Sequence, residues 1–192
     1  MMETKSILLV GVGGQGTILA SRVLTVGLME AGYDVKMSEI HGMSQRGGSV
    51  SSQVRYGDHV DSPVVEKGMA DVIVAFEQME ALRSLDYLKK DGVLVVNNKK
   101  IDSMSVIVGD EEYPDDVLEE IGKHVQLKAI DADRIARGLG NVKASNVVLL
   151  GTVVASMGLD NIDWDEIIAG NVKPKFVELN QKALHAGMEA VS

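Results

Sequence analysis

The feature that most constrains the fold is a glycine-rich turn between an apolar run and a helical pattern. Residues 6–10 (SILLV) are typical of a strand buried on both faces of a parallel sheet. The run ends in Gly11-Val12-Gly13-Gly14-Gln15-Gly16, which has the spacing G-x-G-x-x-G. A helix is predicted from about Thr17 to Ala31, and a second strand from Tyr33 to Ile40. The chain therefore opens with a β-α-β unit.

Alternating apolar runs and helical patterns continue to the end of the chain. Strands are predicted over residues 49–56, 71–76, 93–97, 105–108 and 125–130, and residues 59–60 are predicted to pair back in a hairpin with 49–56. Helices are predicted over 77–89, 115–122, 131–138, 146–157, 163–169 and 174–188. This pattern predicts an α/β fold with a Rossmann-like, open, mostly parallel sheet, helices on both faces and a helical C-terminal third. No repeat or linker divides residues 1–192, so a single domain is predicted.

Composition and charge exclude several classes of function. The sequence contains no cysteine, which excludes disulfides, a thiolate nucleophile and cysteine-bound iron–sulfur clusters. Its 19 Lys and Arg against 28 Asp and Glu give a net charge of −9, which argues against non-specific nucleic-acid binding. No apolar run reaches the roughly 18 residues of a membrane span, and residues 1–5 show no signal-peptide pattern. A cytoplasmic location is expected.

The glycine turn is a candidate anion-binding or cofactor-binding site. Glycines allow a ligand to approach the backbone, and a helix N-terminus offers free N–H groups and partial positive charge. Glu39 lies 23 positions beyond Gly16, near where a ribose-binding carboxylate would be, so NAD or FAD is a possible ligand. The alternative is a tight turn that binds nothing. The candidate contacts are Gly11, Gly13, Gly14, Gln15 and Gly16.

A second candidate segment, residues 39–48, begins at the carboxyl end of the second predicted strand, at the same sheet edge as the glycine turn. Its guanidinium suits bidentate recognition of a phosphate or carboxylate, and its imidazole can exchange a proton near neutral pH. The alternative is a solvated loop whose arginine pairs with an acidic side chain. We expect a substrate or coenzyme cleft to be contacted by His41, Ser44, Gln45, Arg46 and Gly47.

Acidic residues outside these segments are weaker candidates. Glu77 follows the strand 71–76 at the same edge, where it either faces a ligand or stabilises its own helix. Residues 110–116 carry several acids without the spacing of a calcium loop, and a solvated loop is predicted there. Neither feature predicts a metal site.

Together, the glycine turn, the segment Glu39-Ile40-His41-Gly42-Met43-Ser44-Gln45-Arg46-Gly47-Gly48 and Ser62-Pro63 resemble a known family. They are similar to the gamma-type domain of the ferredoxin-dependent 2-oxoacid oxidoreductases, and within it most similar to the indolepyruvate type. The resemblance covers essentially the whole chain. The long second motif makes it specific, since a glycine turn alone occurs in many folds.

The resemblance implies a multi-subunit enzyme that decarboxylates a 2-oxoacid, in the indolepyruvate type an arylpyruvate. Such an enzyme transfers the acyl group to coenzyme A and passes two electrons to ferredoxin. A larger alpha subunit would carry thiamine diphosphate, Mg²⁺ and the 4Fe-4S clusters. The present chain lacks cysteine, and it lacks a Gly-Asp-Gly motif followed some 25 residues later by Asn-Asn. It is therefore expected to shape the coenzyme A or substrate cleft, to supply no catalytic residue and to be inactive alone.

Two other interpretations stay open at this level. One is a stand-alone NAD-dependent oxidoreductase, although no Tyr-x-x-x-Lys pair is present. The other is a non-catalytic assembly subunit whose glycine turn has no ligand. A homodimer of the isolated chain is also possible, because a surface meant for a partner would be exposed.

Overall fold

A mixed β-sheet forms the centre of the protein. The computed structural model describes residues 3–41 and 47–191, and within them the sheet has six strands in the order β2-β3-β1-β4-β5-β6. Their bounds are β1 (Lys5–Val12), β2 (Asp34–His41), β3 (Ser49–Gly57), β4 (Ala70–Ala75), β5 (Leu88–Asn97) and β6 (Gln126–Ile130). β1, β4, β5 and β6 are parallel neighbours, whereas β3 runs antiparallel to both β1 and β2. The Rossmann-like α/β class is confirmed.

The hairpin prediction was wrong in its position. β3 pairs along its length with β2, from Asp34 opposite Gly57 to His41 opposite Val50, and not with residues 59–60. Residues 58–69 instead cross one face of the sheet, where Gln53 accepts a hydrogen bond from the Val65 N–H at 2.6 Å. The register of β3 between β1 and β2 places the β2–β3 connection at the carboxyl end of β1.

Helices cover both faces of the sheet. They are α1 (Thr17–Glu30), α2 (Gln78–Ser84), α3 (Met104–Ile107), α4 (Val117–Gly122), α5 (Ala132–Gly138), α6 (Ser145–Met157), α7 (Trp164–Asn171) and α8 (Val177–Glu189). Ile7 and Leu9 of β1 pack with α1, α6, α7 and α8, whereas Leu8 and Val10 pack with α2 and α4. β1 is therefore buried on both faces, as its apolar run predicts. No helix in the described ranges has the length and apolarity needed to cross a membrane.

Residues 105–108 form part of a helix and its end, so the strand predicted there was wrong. The Ser103 hydroxyl accepts a hydrogen bond from the Val106 N–H and caps α3 at its N-terminus. Gly109, with φ of 84°, ends the turn in a left-handed conformation. Both flanking residues are typical of helix ends, and they outweigh the β-propensity of a short Val-Ile-Val run.

Two glycines bring the backbones of α6 and α8 into direct contact. A Cβ atom placed on Gly187 would lie 1.9 Å from the Val148 carbonyl oxygen, and one on Gly151 would lie 2.1 Å from the Leu184 carbonyl oxygen. No side chain fits between the helices at these points. The C-terminal helix is thus fixed closely to the central helix α6.

Replacing Gly187 with alanine should reduce the free energy of unfolding by about 3 kcal/mol, because the added methyl group must push the two helices apart. Urea unfolding followed by circular dichroism measures the change. The matched control is Gly170→Ala in α7, where a Cβ would meet no atom within 4 Å. That substitution should leave stability unchanged or raise it by up to about 1 kcal/mol. Equal stability of the two variants would contradict this description of the α6–α8 contact.

Candidate ligand-binding site

The glycine turn joins the end of β1 to the start of α1 at the carboxyl edge of the sheet. Gly14 and Gly16 have φ of 101° and 85°, a region in which glycine alone is unstrained. Gly16 is the N-cap of α1 and, having no side chain, leaves the first-turn N–H groups without a side-chain acceptor. Space around Gly14 is open, since a Cβ there would meet no atom within 4 Å. The turn therefore exposes a helix N-terminus to a ligand.

The side-chain amide of Gln15 is held by hydrogen bonds within the protein. Its Oε1 accepts a hydrogen bond from the Val12 N–H at 2.7 Å, and its Nε2 donates to the Phe76 carbonyl oxygen at 2.9 Å. A Cβ on Gly11 would lie 2.8 Å from this Oε1, so Gly11 makes room for the amide. Gln15 thus joins the ends of β1 and β4, and this structural role accounts for its amide without a ligand.

The β2–β3 connection begins and ends beside the glycine turn, as expected from a shared sheet edge. The Gly13 N–H donates to the Gly48 carbonyl oxygen at 2.8 Å, and the Gly47 N–H donates to the Gly13 carbonyl oxygen at 3.4 Å. Gly47 is therefore adjacent to the turn. Ser44, Gln45 and Arg46 lie outside the described residues.

A depression, here called the glycine cleft, lies on both sides of the glycine turn. On its first side, His41 joins Gly13, Gly14, Gly16 and Ile18 around a space of about 350 Å³. The structure thus brings His41 and the turn together.

Glu39 lies near this side of the glycine cleft, and its carboxylate already interacts with neighbouring side chains. Its carboxylate accepts a hydrogen bond from the Ser21 hydroxyl at 3.3 Å and lies 3.6 Å from His41 Nε2. In a dinucleotide-binding fold, the ribose-binding carboxylate ends the strand next to β1. Here β3 takes that place, and β2 is one strand further away. This geometry disfavours the NAD interpretation.

The second side of the glycine cleft has a volume of about 420 Å³ and carries polar residues that the sequence did not single out as a site. Lys99 forms an ion pair with Asp133 at 2.7 Å. Asn97 is buried, accepts a hydrogen bond from the Ala132 N–H at 3.0 Å and donates to the Phe76 carbonyl oxygen. Lys143 also lines this side, and its ammonium has no partner within the described residues. Asn97 ends the buried strand β5 and Lys99 lies two residues beyond it, and this position at a strand's carboxyl end is a signal that could have identified them.

The N-terminus of α6 completes this side. Asn146 Nδ2 donates to the Gly16 carbonyl oxygen at 3.3 Å, and a Cβ on Gly16 would lie 2.6 Å from this Nδ2. The third glycine of the turn therefore permits close packing of α6. α6 continues directly from a 3₁₀ turn (Val142–Ala144). This turn is capped, because the Asn141 Oδ1 accepts a hydrogen bond from the Lys143 N–H and the Val142 carbonyl oxygen accepts one from the Ser145 N–H. The uncapped N-terminus of α1 thus meets Lys143 at one cleft, an arrangement that favours an anion.

Glu77 has a structural role. It is the N-cap of α2, where its Oε2 accepts a hydrogen bond from the Glu80 N–H at 3.0 Å, and its Oε1 accepts from the Ile101 N–H at 3.2 Å. The Tyr113 hydroxyl also donates to Oε1, and burial together with this carboxylate raises the pKa of Tyr113 above its usual value. In the described ranges no three His, Asp or Glu side chains converge to hold a metal ion.

The sequence matches known proteins over nearly its full length. The family model described as pyruvate ferredoxin/flavodoxin oxidoreductase matches residues 6–190. The indolepyruvate oxidoreductase subunit IorB of Pyrococcus horikoshii is 42% identical, with 98% of this chain and 96% of that protein covered. The IorB subunit of Thermococcus kodakarensis is 39% identical with the same coverage. The keto/oxoacid ferredoxin oxidoreductase gamma subunit of Geobacter sulfurreducens has a TM-score of 0.72 and 27% identity, covering 97% of this chain and 98% of that one.

Fold and sequence together define an α/β oxidoreductase subunit of the gamma type that contains no cysteine. The chain belongs to the pyruvate ferredoxin/flavodoxin oxidoreductase family. The resemblance predicted from the two glycine-bearing motifs is therefore confirmed, as is the role of an enzyme subunit.

Replacing Gln15 with leucine should reduce the free energy of unfolding by about 2 kcal/mol, because the Val12 N–H would lose its acceptor and the Phe76 carbonyl a donor. Urea unfolding measures the loss. Gln126→Leu is the control, since Gln126 is exposed on β6. It should change stability by no more than about 0.5 kcal/mol. A stable Gln15→Leu protein would instead favour a direct role of Gln15 in ligand binding.

Proposed function

We propose that this subunit supplies the anion-binding part of the coenzyme A cleft in a ferredoxin-dependent 2-oxoacid oxidoreductase. The observation that carries the proposal is the meeting of the uncapped N-terminus of α1 with Lys143 at the glycine cleft. Coenzyme A carries a pyrophosphate and a further phosphate, and such groups are the usual ligands of helix N-termini and lysines.

The residues of this chain do not fit the redox and thiamine groups of the reaction. The sequence has no cysteine to ligate an iron–sulfur cluster, and its Asp91-Gly92 and Asn97-Asn98 are too close together for the thiamine diphosphate pattern. We therefore assign thiamine diphosphate, Mg²⁺ and the 4Fe-4S clusters to a larger alpha subunit. In this proposal the present chain binds and orients the coenzyme, and ferredoxin is reduced through the complex.

The proposed substrates are indolepyruvate and other arylpyruvates, which would give the aryl-acetyl-coenzyme A, carbon dioxide and reduced ferredoxin. Support comes from the IorB relatives at 39% and 42% identity, whose names specify indolepyruvate. A cytoplasmic location belongs to the same proposal. Homodimer formation by the isolated chain stays a prediction, with gel filtration as its measurement.

The test is steady-state kinetics of the complex reconstituted with its large subunit. Lys143→Ala should raise the KM for coenzyme A by about 3- to 10-fold, the effect of losing one charge-assisted contact at an exposed site. The Arg46→Ala substitution should raise the KM for coenzyme A or for the oxoacid. Lys90→Ala is the control, because Lys90 is exposed near the amino end of β5, away from the cleft.

Two results would contradict the proposal. One is unchanged coenzyme A kinetics in the Lys143→Ala and Arg46→Ala complexes. The other is substantial turnover of an oxidisable substrate by the purified chain without its large subunit. Comparing indolepyruvate, pyruvate and 2-oxoglutarate as substrates of the wild-type complex tests the arylpyruvate assignment separately.

A further inference from the structure

A second cleft of about 340 Å³ adjoins the glycine cleft and is separate from the glycine turn. It lies between α1, the short 3₁₀ turn before α6, the end of α7 and the start of α8. Lys143 and Asn146 line both clefts, so the two are neighbours. We call it the amide cleft, after the side chains that define it: Asn141, Asn146, Asn171 and Asn180, with Leu19 and Phe176.

In each of the four amide groups, one polar atom forms a hydrogen bond within the protein and the other is left for a ligand in the cleft. Asn180 Nδ2 donates to the Phe176 carbonyl oxygen at 2.7 Å, and Asn171 Nδ2 donates to the Ile167 carbonyl oxygen at 2.8 Å. Asn141 Oδ1 accepts a hydrogen bond from the Lys143 N–H at 3.0 Å.

The remaining amide atoms have no partner within residues 3–41 and 47–191. Two of these residues are more than nine-tenths buried, with Asn146 6% and Asn180 8% exposed. Each of these two keeps its Oδ1 without a donor in that part of the chain. These two oxygens are not fully enclosed, since Ser156 Oγ is the enclosed side-chain atom without a partner in the described residues. They are accessible from the cleft and can accept a hydrogen bond from a ligand.

Positive charge is concentrated around the amide cleft. Lys143 and Lys173 line it, and Lys175 Nζ lies 4.9 Å from the centre of the Phe176 ring. In the described part of the chain, none of these three ammonium groups has a carboxylate partner. Other lysines, such as Lys99 and Lys182, are paired with Asp133 and Glu178. In a chain of net charge −9, three lysines without acidic partners favour an anionic ligand at this place.

The apolar surface of the cleft suits a planar ring. Leu19 contributes from α1, and the Phe176 side chain is 37% exposed beside it. An aromatic ring of this kind stacks with a heteroaromatic base. The neighbouring amides offer both donors and acceptors, which match the alternating ring nitrogens and the amino group of a purine.

We propose that the amide cleft binds a phosphorylated purine nucleotide, with its base against Phe176 and the amides and its phosphates at Lys143 and Lys173. Two sources present this chemistry: the nucleotide end of coenzyme A, and a free adenine nucleotide. The first source rests on the proposed function, since the rest of the coenzyme would then extend into the glycine cleft through Lys143 and Asn146.

Isothermal titration of the full chain tests the proposal, with adenosine 3′,5′-bisphosphate, ADP, coenzyme A and pantetheine as ligands. The wild-type chain should bind the nucleotides, and the Lys173→Glu substitution should lower their affinity about 10-fold. Phe176→Ala should weaken them at least about 5-fold, the lower end of base–aromatic stacking. Lys90→Ala is the control for general charge effects and should bind as the wild type does. Thermal unfolding of each variant verifies that it is folded.

The ligand series distinguishes the two sources. Tighter binding of adenosine 3′,5′-bisphosphate than of ADP, with displacement by coenzyme A, identifies the coenzyme, whereas equal affinity for ADP identifies a free nucleotide. Both results support a nucleotide site. The proposal is overturned if no nucleotide binds at millimolar concentration, or if neither variant changes the affinity. It is also overturned if the variants weaken only the association with the large subunit, since a protein partner then occupies the cleft.

Failure of this inference is distinguishable from failure of the proposed function. A reconstituted complex that uses coenzyme A with unchanged KM in the Lys173→Glu and Phe176→Ala variants removes the amide cleft from the coenzyme site, while the function stands. The opposite outcome is a complex that turns over no oxoacid, together with nucleotide binding to the isolated chain that both substitutions weaken. That outcome contradicts the proposed function and supports the nucleotide site.

Discussion

The pairing of β3 between β1 and β2 is the constraint on which the site depends. Because β3 is antiparallel to both neighbours, the β2–β3 connection returns to the carboxyl end of β1, where Gly13 and Gly48 share a hydrogen bond. A parallel strand in the place of β3 would instead put a crossover helix between the two motifs. The arrangement also places His41 beside the glycine turn and separates Glu39 from the position of a ribose-binding acid.

The distribution of charge complements this topology. Many acidic side chains are paired or act as caps, as Asp133 is with Lys99 and as Glu77 is at α2. The N-terminus of α1 carries no acidic residue in its first turn, so no carboxylate of its own competes for those N–H groups. Near Lys143 the protein therefore presents partial and full positive charge within an acidic surface, which is the electrostatic requirement for a phosphate-bearing ligand.

The sequence predicted most helices and strands, because caps, glycines and apolar periods are local signals. Asp131, for example, caps α5 at the start of the helix predicted over 131–138. The strand order was not predictable in this way, since β3 has the same alternation whichever strands it joins. The glycine turn was found at its correct place, but the role of Gln15 depends on Phe76, 61 residues away. Lys143 and Asn146 were missed for the same reason: only the tertiary packing of α6 brings them to the turn.

The glycine contact between α6 and α8 has a mechanical consequence. At Gly151 and Gly187 no side chains separate the two backbones. Helices α6 and α8 therefore lack the layer of interdigitated side chains whose rearrangement lets packed helices shift relative to each other. The same central helix contacts the glycine turn through Asn146, near its N-terminus and close to these glycine contacts. A force applied to the C-terminal helix would consequently reach the mouth of the cleft through a rigid contact, because Gly151 and Asn146 are only about 8 Å apart along the helix axis.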